Sequence, residues 1–189
     1  MISHKLICAG FGGQGVMSLG QLLAYAAMIE DKEVSWMPSY GPEMRGGTAY
    51  CCVNISDKPI GSPMITDDAS SAIVMNLPSF QKFEPWVVPG GDLLVNSSLI
   101  NQLSRRNDLH VHYIPANDEA VCCGNVKMAN MVMLGAYLEL TDIVLKSSIL
   151  YAFKKVFGKK GRRLLLQNEK ALQRGADYIR GQIPLTAAV

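Results

Sequence analysis

The five cysteines of this sequence never form a C-x-x-C pair. Cys8 stands alone, and Cys51-Cys52 and Cys122-Cys123 are immediate neighbours. Adjacent residues of a strand point to opposite faces, so Cys51 and Cys52 do not readily share one metal. There is no ferredoxin-like cysteine run and no disulfide framework, which points to reduced thiols and a cytoplasmic protein. The three histidines, His4, His110 and His112, lack zinc-type spacing; the latter two share one strand face and read as ordinary strand residues. No apolar run reaches the length of a membrane span. The opening Met1-Ile2-Ser3-His4-Lys5 leads into a short apolar run rather than a signal peptide. Eighteen basic residues against sixteen acidic ones give a net charge of +2, too little for a dedicated nucleic-acid binder.

What is present is ordinary globular material: 189 residues, 49% apolar and 18% charged, enough for one domain with a real core. Leu6 to Ala9 reads as a buried strand, Gly10-Phe11-Gly12-Gly13-Gln14-Gly15 as a turn, and the Ala-rich run from Val16 to Ile29 as a helix. Together they open a doubly wound α/β fold. Further strands are expected at 33–37, 49–55, 72–76, 92–96, the last entered through a turn at Pro89-Gly90-Gly91, and 110–114. Short helices are expected at 79–86, after Pro78, and behind an Asn117 or Asp118 cap up to Gly124-Asn125. Ile60-Gly61-Ser62-Pro63 is expected to begin a return strand that makes the sheet mixed. The run from Met128 to Leu140 is apolar on nearly every face, as for a helix buried on two sides, within this protein or against a partner. Ile149, Phe153, Val156 and Phe157 form an amphipathic stripe, and a more basic terminal helix carries Leu164, Leu172 and Ile179. The fold class is therefore α/β: a single three-layer α/β/α Rossmann-like domain over 1–189, its sheet mostly parallel but mixed, with 184–189 as a loose tail.

Two stretches carry the chemistry. The hexad at 10–15 fits G-x-G-x-x-G between a strand and a helix, where backbone amides can receive an anion. A dinucleotide also needs an acidic residue at the end of the second strand, and here that strand ends in Met37-Pro38. Gly10, Gly12, Gly13, Gln14 and Gly15 are thus candidates for binding a non-nicotinamide anion, with Gln14 adding a neutral amide. The other reading is that the glycines serve only strand–helix packing. The second stretch, Pro38 to Thr48, is too rich in Gly and Pro for a helix or strand, yet holds Ser39, Tyr40, Gly41, Pro42, Glu43, Arg45, Gly46 and Gly47. A stiff loop with one guanidinium, one carboxylate and one phenol is a candidate substrate or interface loop; it also reads as a long crossover held by an Arg45–Glu43 pair. No nucleophile, general base or metal site is apparent. Gly91-Asp92 is followed by Leu93 where a thiamine diphosphate–magnesium motif would carry glycine.

Ala9 to Val16 and Pro38 to Ala49 together resemble the gamma subunit of 2-oxoacid:ferredoxin oxidoreductases. Ile60 to Pro63, Gly124-Asn125 and Ala129 to Gly135 are similar too, and the likeness is weakest from Lys146 onward. Within that family the chain looks closest to the 2-oxoglutarate and branched-chain 2-oxoacid enzymes. The resemblance implies a subunit of an enzyme that converts a 2-oxoacid, 2-oxoglutarate favoured, with coenzyme A and oxidised ferredoxin to acyl-CoA, carbon dioxide and reduced ferredoxin. Thiamine diphosphate, magnesium and iron–sulfur clusters would sit in alpha, beta and possibly delta partner subunits, leaving this chain inactive alone and without a cofactor of its own. It would pack beside the active site, with Arg45 meeting a carboxylate or phosphate and Tyr40 and Glu43 fixing that arginine or the acyl group. The competing reading is a stand-alone anion- or nucleotide-binding module with no catalytic role.

Overall fold

The computed structural model describes residues 3–40 and 47–181, with backbone alone for 159–163. Six strands form one sheet in the order β2-β3-β1-β4-β5-β6: β1 Ser3–Phe11, β2 Glu33–Tyr40, β3 Thr48–Ser56, β4 Ala69–Val74, β5 Val87–Asn96 and β6 His110–Ile114. β1, β4, β5 and β6 run parallel, whereas β2 and β3 form an antiparallel hairpin that pairs antiparallel with β1. The sheet is therefore mixed, as expected, but through a different element. Residues 60–63 form no strand; the antiparallel pair is β2–β3. Pro38, Ser39 and Tyr40 belong to β2 rather than to a loop, because an edge strand tolerates proline.

Side-chain alternation divides the core. Leu6, Cys8, Cys51, Val53, Ile73, Leu94 and Ile114 face a layer of four helices: α1 Val16–Ile29, α3 Ala116–Cys122, α4 Ala129–Thr141 and α5 Lys146–Ile179. Ile7, Ala9, Cys52, Ala72, Val74, Leu93 and Val95 face α2, Leu77–Phe83, through Phe80 and Phe83. Cys51 and Cys52 thus enter different layers. Leu19, Leu22 and Leu23 of α1 are fully buried, each contributing about 1.5–3 kcal/mol. α4 is buried from Ala129 through Leu138 by its own chain, packed against α5, α3 and α1. Its apolar surface therefore does not argue for a partner.

Pro78 opens a helix as expected, and three other local expectations differ. Proline is tolerated in the first turn of a helix, and Pro78 lies there in α2, whose cap is Asn76: its side chain accepts a hydrogen bond from the Ser79 amide at 2.9 Å. α3 has no side-chain cap; its N-cap is Pro115, while Asn117 accepts from Asn96 Nδ2 and Asp118 from Ser98 Oγ. Pro89-Gly90-Gly91 does not turn the chain but lies inside β5, at a register shift opposite Ala69–Ser71, with the Gly90 amide donating to Asp108 O. The amphipathic stripe and the terminal helix form one element, α5, broken at Gly158 (φ 53°). Residues 184–189 lie outside the described residues. Among the described residues, no helix is long and apolar enough to cross a membrane.

Candidate ligand crevice at the switch point

β1 leads into α1 on the four-helix face, and its parallel neighbour β4 leads into α2 on the other. Connections that part this way open a crevice beyond the carboxyl ends of the two strands. The glycine turn lies at that point. β1 continues through Gly10 and Phe11, so the turn proper is Gly12 to Gly15. Gly13 (φ 102°) and Gly15 (φ 76°) are left-handed, a region that non-glycine residues rarely adopt. A Cβ on Gly10 would lie 2.7 Å from Gln14 Oε1 and 3.0 Å from Met75 Cβ.

Gln14 is not the free ligand group its position in the motif implies. Its Oε1 accepts from the Phe11 amide (2.7 Å) and Asn76 Nδ2 (3.3 Å), and its Nε2 donates to Met75 O (3.1 Å). The side chain latches the turn to β4, and what the turn offers outward is backbone. α1 begins at Gly15 with no side-chain cap and no acidic residue in its first turn. Its leading amides have no intrahelical acceptor and favour an anion.

The turn and the hairpin meet. The Gly12 amide donates to Gly47 O at 3.1 Å. Tyr40 opposes Ala49 across the hairpin and lines a groove of about 470 Å³ with Phe11, Gly12, Gly13, Gly15, Val16, Met17 and Ser18. Ser39, the preceding strand residue, points to the opposite face, opposing Tyr50. Gly41, Pro42, Glu43, Arg45 and Gly46 lie outside the described residues.

The remaining lining was not assigned to a ligand site from the sequence. A cavity of about 160 Å³ joins Gly13, Gln14 and Met75 to Asn117, Val126, Lys127 and Ala129. A neighbouring apolar groove of about 340 Å³ is lined by Gly15, Ser18, Leu22, Asn125, Lys127, Met128, Asn130, Met131, Phe153, Phe157, Leu164 and Asn168. Lys127 borders both from a 3-10 turn, Val126–Met128, whose Lys127 amide donates to the Asn125 side chain. Asn130 at the start of α4 donates to Gly15 O at 3.2 Å. Asn96, at the end of β5, donates to Asn117 Oδ1 at 2.9 Å while its own buried Oδ1 has no partner. Asn76, Asn96 and Asn117 follow or end strands or open a helix, a recurrence visible in the sequence; Lys127 lies in no motif. Among the described residues, no carboxylate lines these three cavities. A ligand here meets backbone amides, neutral side-chain amides and one ammonium, a setting that fits an anion attached to an apolar or uncharged arm.

The far end of the parallel strands is different. His112 Nε2 lies 3.1 Å and His110 Nδ1 3.7 Å from Asp92 Oδ1, so these strand histidines share a carboxylate. Among the described residues, no group of three His, Cys, Asp or Glu side chains is placed to hold a metal ion. Cys8 and Cys51 oppose each other across β1 and β3, and burial pushes the Cys8 thiol well up, which makes it a poor nucleophile.

The model of the pyruvate ferredoxin/flavodoxin oxidoreductase family matches residues 5–178. The chain is 38% identical over 176 residues to ketoisovalerate oxidoreductase subunit VorA of Methanothermobacter thermautotrophicus, covering 93% of this chain and 36% of that one. It is 35% identical over 146 residues to 2-oxoglutarate synthase subunit KorC of Methanocaldococcus jannaschii, covering 75% and 76%. Among solved structures, the gamma subunit of a keto/oxoacid ferredoxin oxidoreductase from Geobacter sulfurreducens superposes with a TM-score of 0.79 at 29% identity, covering 94% of this chain and 99% of that one. The chain spans about a third of the length of the ketoisovalerate relatives it matches.

Proposed function

This chain belongs to the pyruvate ferredoxin/flavodoxin oxidoreductase family, and we propose that it serves as the gamma-type subunit of a cytoplasmic 2-oxoacid:ferredoxin oxidoreductase. In that reaction a 2-oxoacid loses carbon dioxide, its acyl group passes to coenzyme A, and ferredoxin takes the electrons. Thiamine diphosphate, magnesium and iron–sulfur clusters belong, in this reading, to alpha, beta and delta partner chains. The gamma chain receives coenzyme A. The observation that carries this role is the switch-point crevice, where the amides of the glycine turn and Lys127 face one space that no described carboxylate lines. The phosphates of coenzyme A are the anionic part of the reactants that such a site suits. The apolar groove beside Lys127 suits the uncharged pantetheine arm.

Arg45 and the loop it stands in keep the role the family resemblance gives them, a second cation for a carboxylate or phosphate. The Gly12–Gly47 hydrogen bond fastens the end of that loop to the turn, which supports a shared site. Of the acids, 2-oxoglutarate and ketoisovalerate are the two we carry forward, since relatives named for both match at 35% and 38% identity. The test is to purify the complex that contains this chain and assay acyl-CoA formation from 2-oxoglutarate, ketoisovalerate and pyruvate with a ferredoxin. Turnover of one of the first two, with none by the pure chain, is expected. A complex without 2-oxoacid oxidation would refute the assignment.

A further inference from the structure

Four elements converge on one sulfur that the crevice does not use. Cys51 on β3 stands directly opposite Cys8 on β1, on the four-helix face of the sheet, and both are fully buried. Residues opposed across antiparallel strands have Cα atoms about 4.5–5.5 Å apart, inside the roughly 4.4–6.8 Å that a disulfide spans. Beside the pair, α1 carries Gly20, although a glycine inside a helix destabilises it relative to alanine. A Cβ there would collide with Cys51 Sγ and would lie 3.2 Å from Trp36 Nε1. The glycine thus leaves one gap that admits both the sulfur and the indole nitrogen of β2. That nitrogen is otherwise buried without a hydrogen-bond partner. A hydrogen bond from the Cys8 thiol, aided by the Trp36 indole and the Gly20 amide, holds the Cys51 thiol below its ordinary value against the effect of burial. Cys8, the donor of the pair, is pushed well up.

We propose that Cys8 and Cys51 are a redox pair that a hydroperoxide closes to a reversible disulfide in the folded protein, with the Trp36 indole N–H as donor to the Cys51 sulfur. The Cys51 thiolate attacks one peroxide oxygen. The O–O bond breaks, the sulfur becomes a sulfenic acid, and the departing oxygen takes up the proton that Cys51 gave up. Cys8 then attacks that sulfur: the S–S bond forms as the S–O bond breaks, and the Cys8 proton leaves with the hydroxide as water. Two thiols have passed two electrons to the peroxide. A Cys8 still protonated suits the second step, since it brings the proton that the leaving hydroxide needs. The route inward is short. Cys51 Sγ lies 3.6 Å from Val16 O, and Val16 lines the groove beside the glycine turn, so one residue touches both the groove and the sulfur. The disulfide ties β1, which carries the glycine turn, to β3, which completes the hairpin.

The test treats the folded full chain with hydrogen peroxide, then denatures, alkylates and digests it. It is run on Cys122→Ser, which removes the exposed thiol. A peptide pair linked through Cys8 and Cys51, and separated by dithiothreitol, is expected. Cys52 and Cys123, buried as well but without an opposed thiol on their own face of the sheet, are expected to be alkylated in full. Trp36→Phe keeps an aromatic ring and removes the N–H; it should slow the linkage by about fivefold, the worth of one neutral hydrogen bond. Full alkylation of Cys8 and Cys51 after peroxide overturns the proposal. So does linkage that forms only in urea, or linkage that joins other cysteines. Linkage as fast in Trp36→Phe, or faster, shows that opening of the core controls the reaction rather than the indole donor, and overturns it too.

Discussion

Asn130 and Gly15 are fitted to each other: the asparagine Nδ2 donates to the glycine carbonyl at 3.2 Å, and a Cβ on Gly15 would lie 2.6 Å from that same nitrogen. The start of α4 is thereby locked to the start of α1. Gly15→Ala meets both this contact and a left-handed φ, which costs about 1–2 kcal/mol alone. A total loss of about 2–4 kcal/mol by urea unfolding is expected once the crowding is added. Asn130→Ala in the same chain should recover part of it, and strict additivity of the two losses would contradict the fit.

A second pair of glycines sets how closely α4 and α5 cross. A Cβ on Gly135 would lie 1.9 Å from Leu172 O, and one on Gly175 1.9 Å from Val132 O. In an open helix, glycine to alanine stabilises by about 1 kcal/mol. Here the sign reverses: Gly175→Ala and Gly135→Ala should each lower the melting temperature, at a cost of about 3 kcal/mol or more from forced separation of the helices. A rise in melting temperature for either would mean that the helices cross farther apart.

Glu30 follows α1 and ties it to the segment before α5, accepting from the Leu145 amide at 2.7 Å and from Lys32 Nζ at 3.2 Å. Burial pushes its pKa up, but hydrogen bonds from Ser148, Leu145 and Lys32 and the charge of Lys32 outweigh it, and the carboxyl sits below its ordinary 4.5. A carboxyl lowered on folding stabilises above its unfolded pKa and loses that contribution as pH falls through the folded value. The wild type should therefore lose more melting temperature between pH 5 and pH 3, the range taken as about 4 ± 1 around the carboxylate values, than Glu30→Gln does. Parallel profiles would remove Glu30 from the acid response.

At the crevice, Lys127→Ala in the assembled enzyme should lower kcat/KM for coenzyme A by about 10- to 100-fold, the worth of one hydrogen bond to a charged group. Lys127→Arg should keep most of it, since a point charge toward phosphate is what the position supplies. Unchanged kinetics for Lys127→Ala would move the phosphates elsewhere.

Gln14→Glu tests the latch. Glutamate can still accept from the Phe11 amide and Asn76, but it cannot donate to Met75 O as Nε2 does, and it adds a negative charge to the crevice. Thermal unfolding should show a loss of about 1–3 kcal/mol for the orphaned carbonyl contact, together with a raised KM for coenzyme A. An unaltered KM would separate the latch from the ligand site.

The strand–turn–helix opening was legible because its glycines answer to local backbone demands that hold in any context. The hairpin was less so. Pro38 in a Gly- and Pro-rich stretch looks like a loop residue, and only the position of β2 at the sheet edge makes it a strand residue. Pro89-Gly90-Gly91 reads as a turn until the bulge opposite Ala69–Ser71 gives Gly90 a strand position with φ 78°. A nearly all-apolar α4 announces burial but not by what, and tertiary packing against α5 settles it. Gln14 shows the limit most directly: the motif locates the side chain, while its three hydrogen bonds, two of them to residues more than sixty positions away, turn it inward. Lys127 needed the fold, since nothing in Asn125-Val126-Lys127-Met128 distinguishes it from a solvated surface lysine.

The distribution of the thiols gives the molecule a built-in reporter position. Cys8, Cys51, Cys52 and Cys123 are buried, and Cys122 alone among the five is exposed. It ends α3, the helix whose first turn brings Asn117 to the crevice. A maleimide dye added to the unmodified protein should attach once, at Cys122, with no cysteine-free background to engineer. Its emission would then register events at the mouth of the crevice in the native sequence, and quenching by an added acceptor would time them.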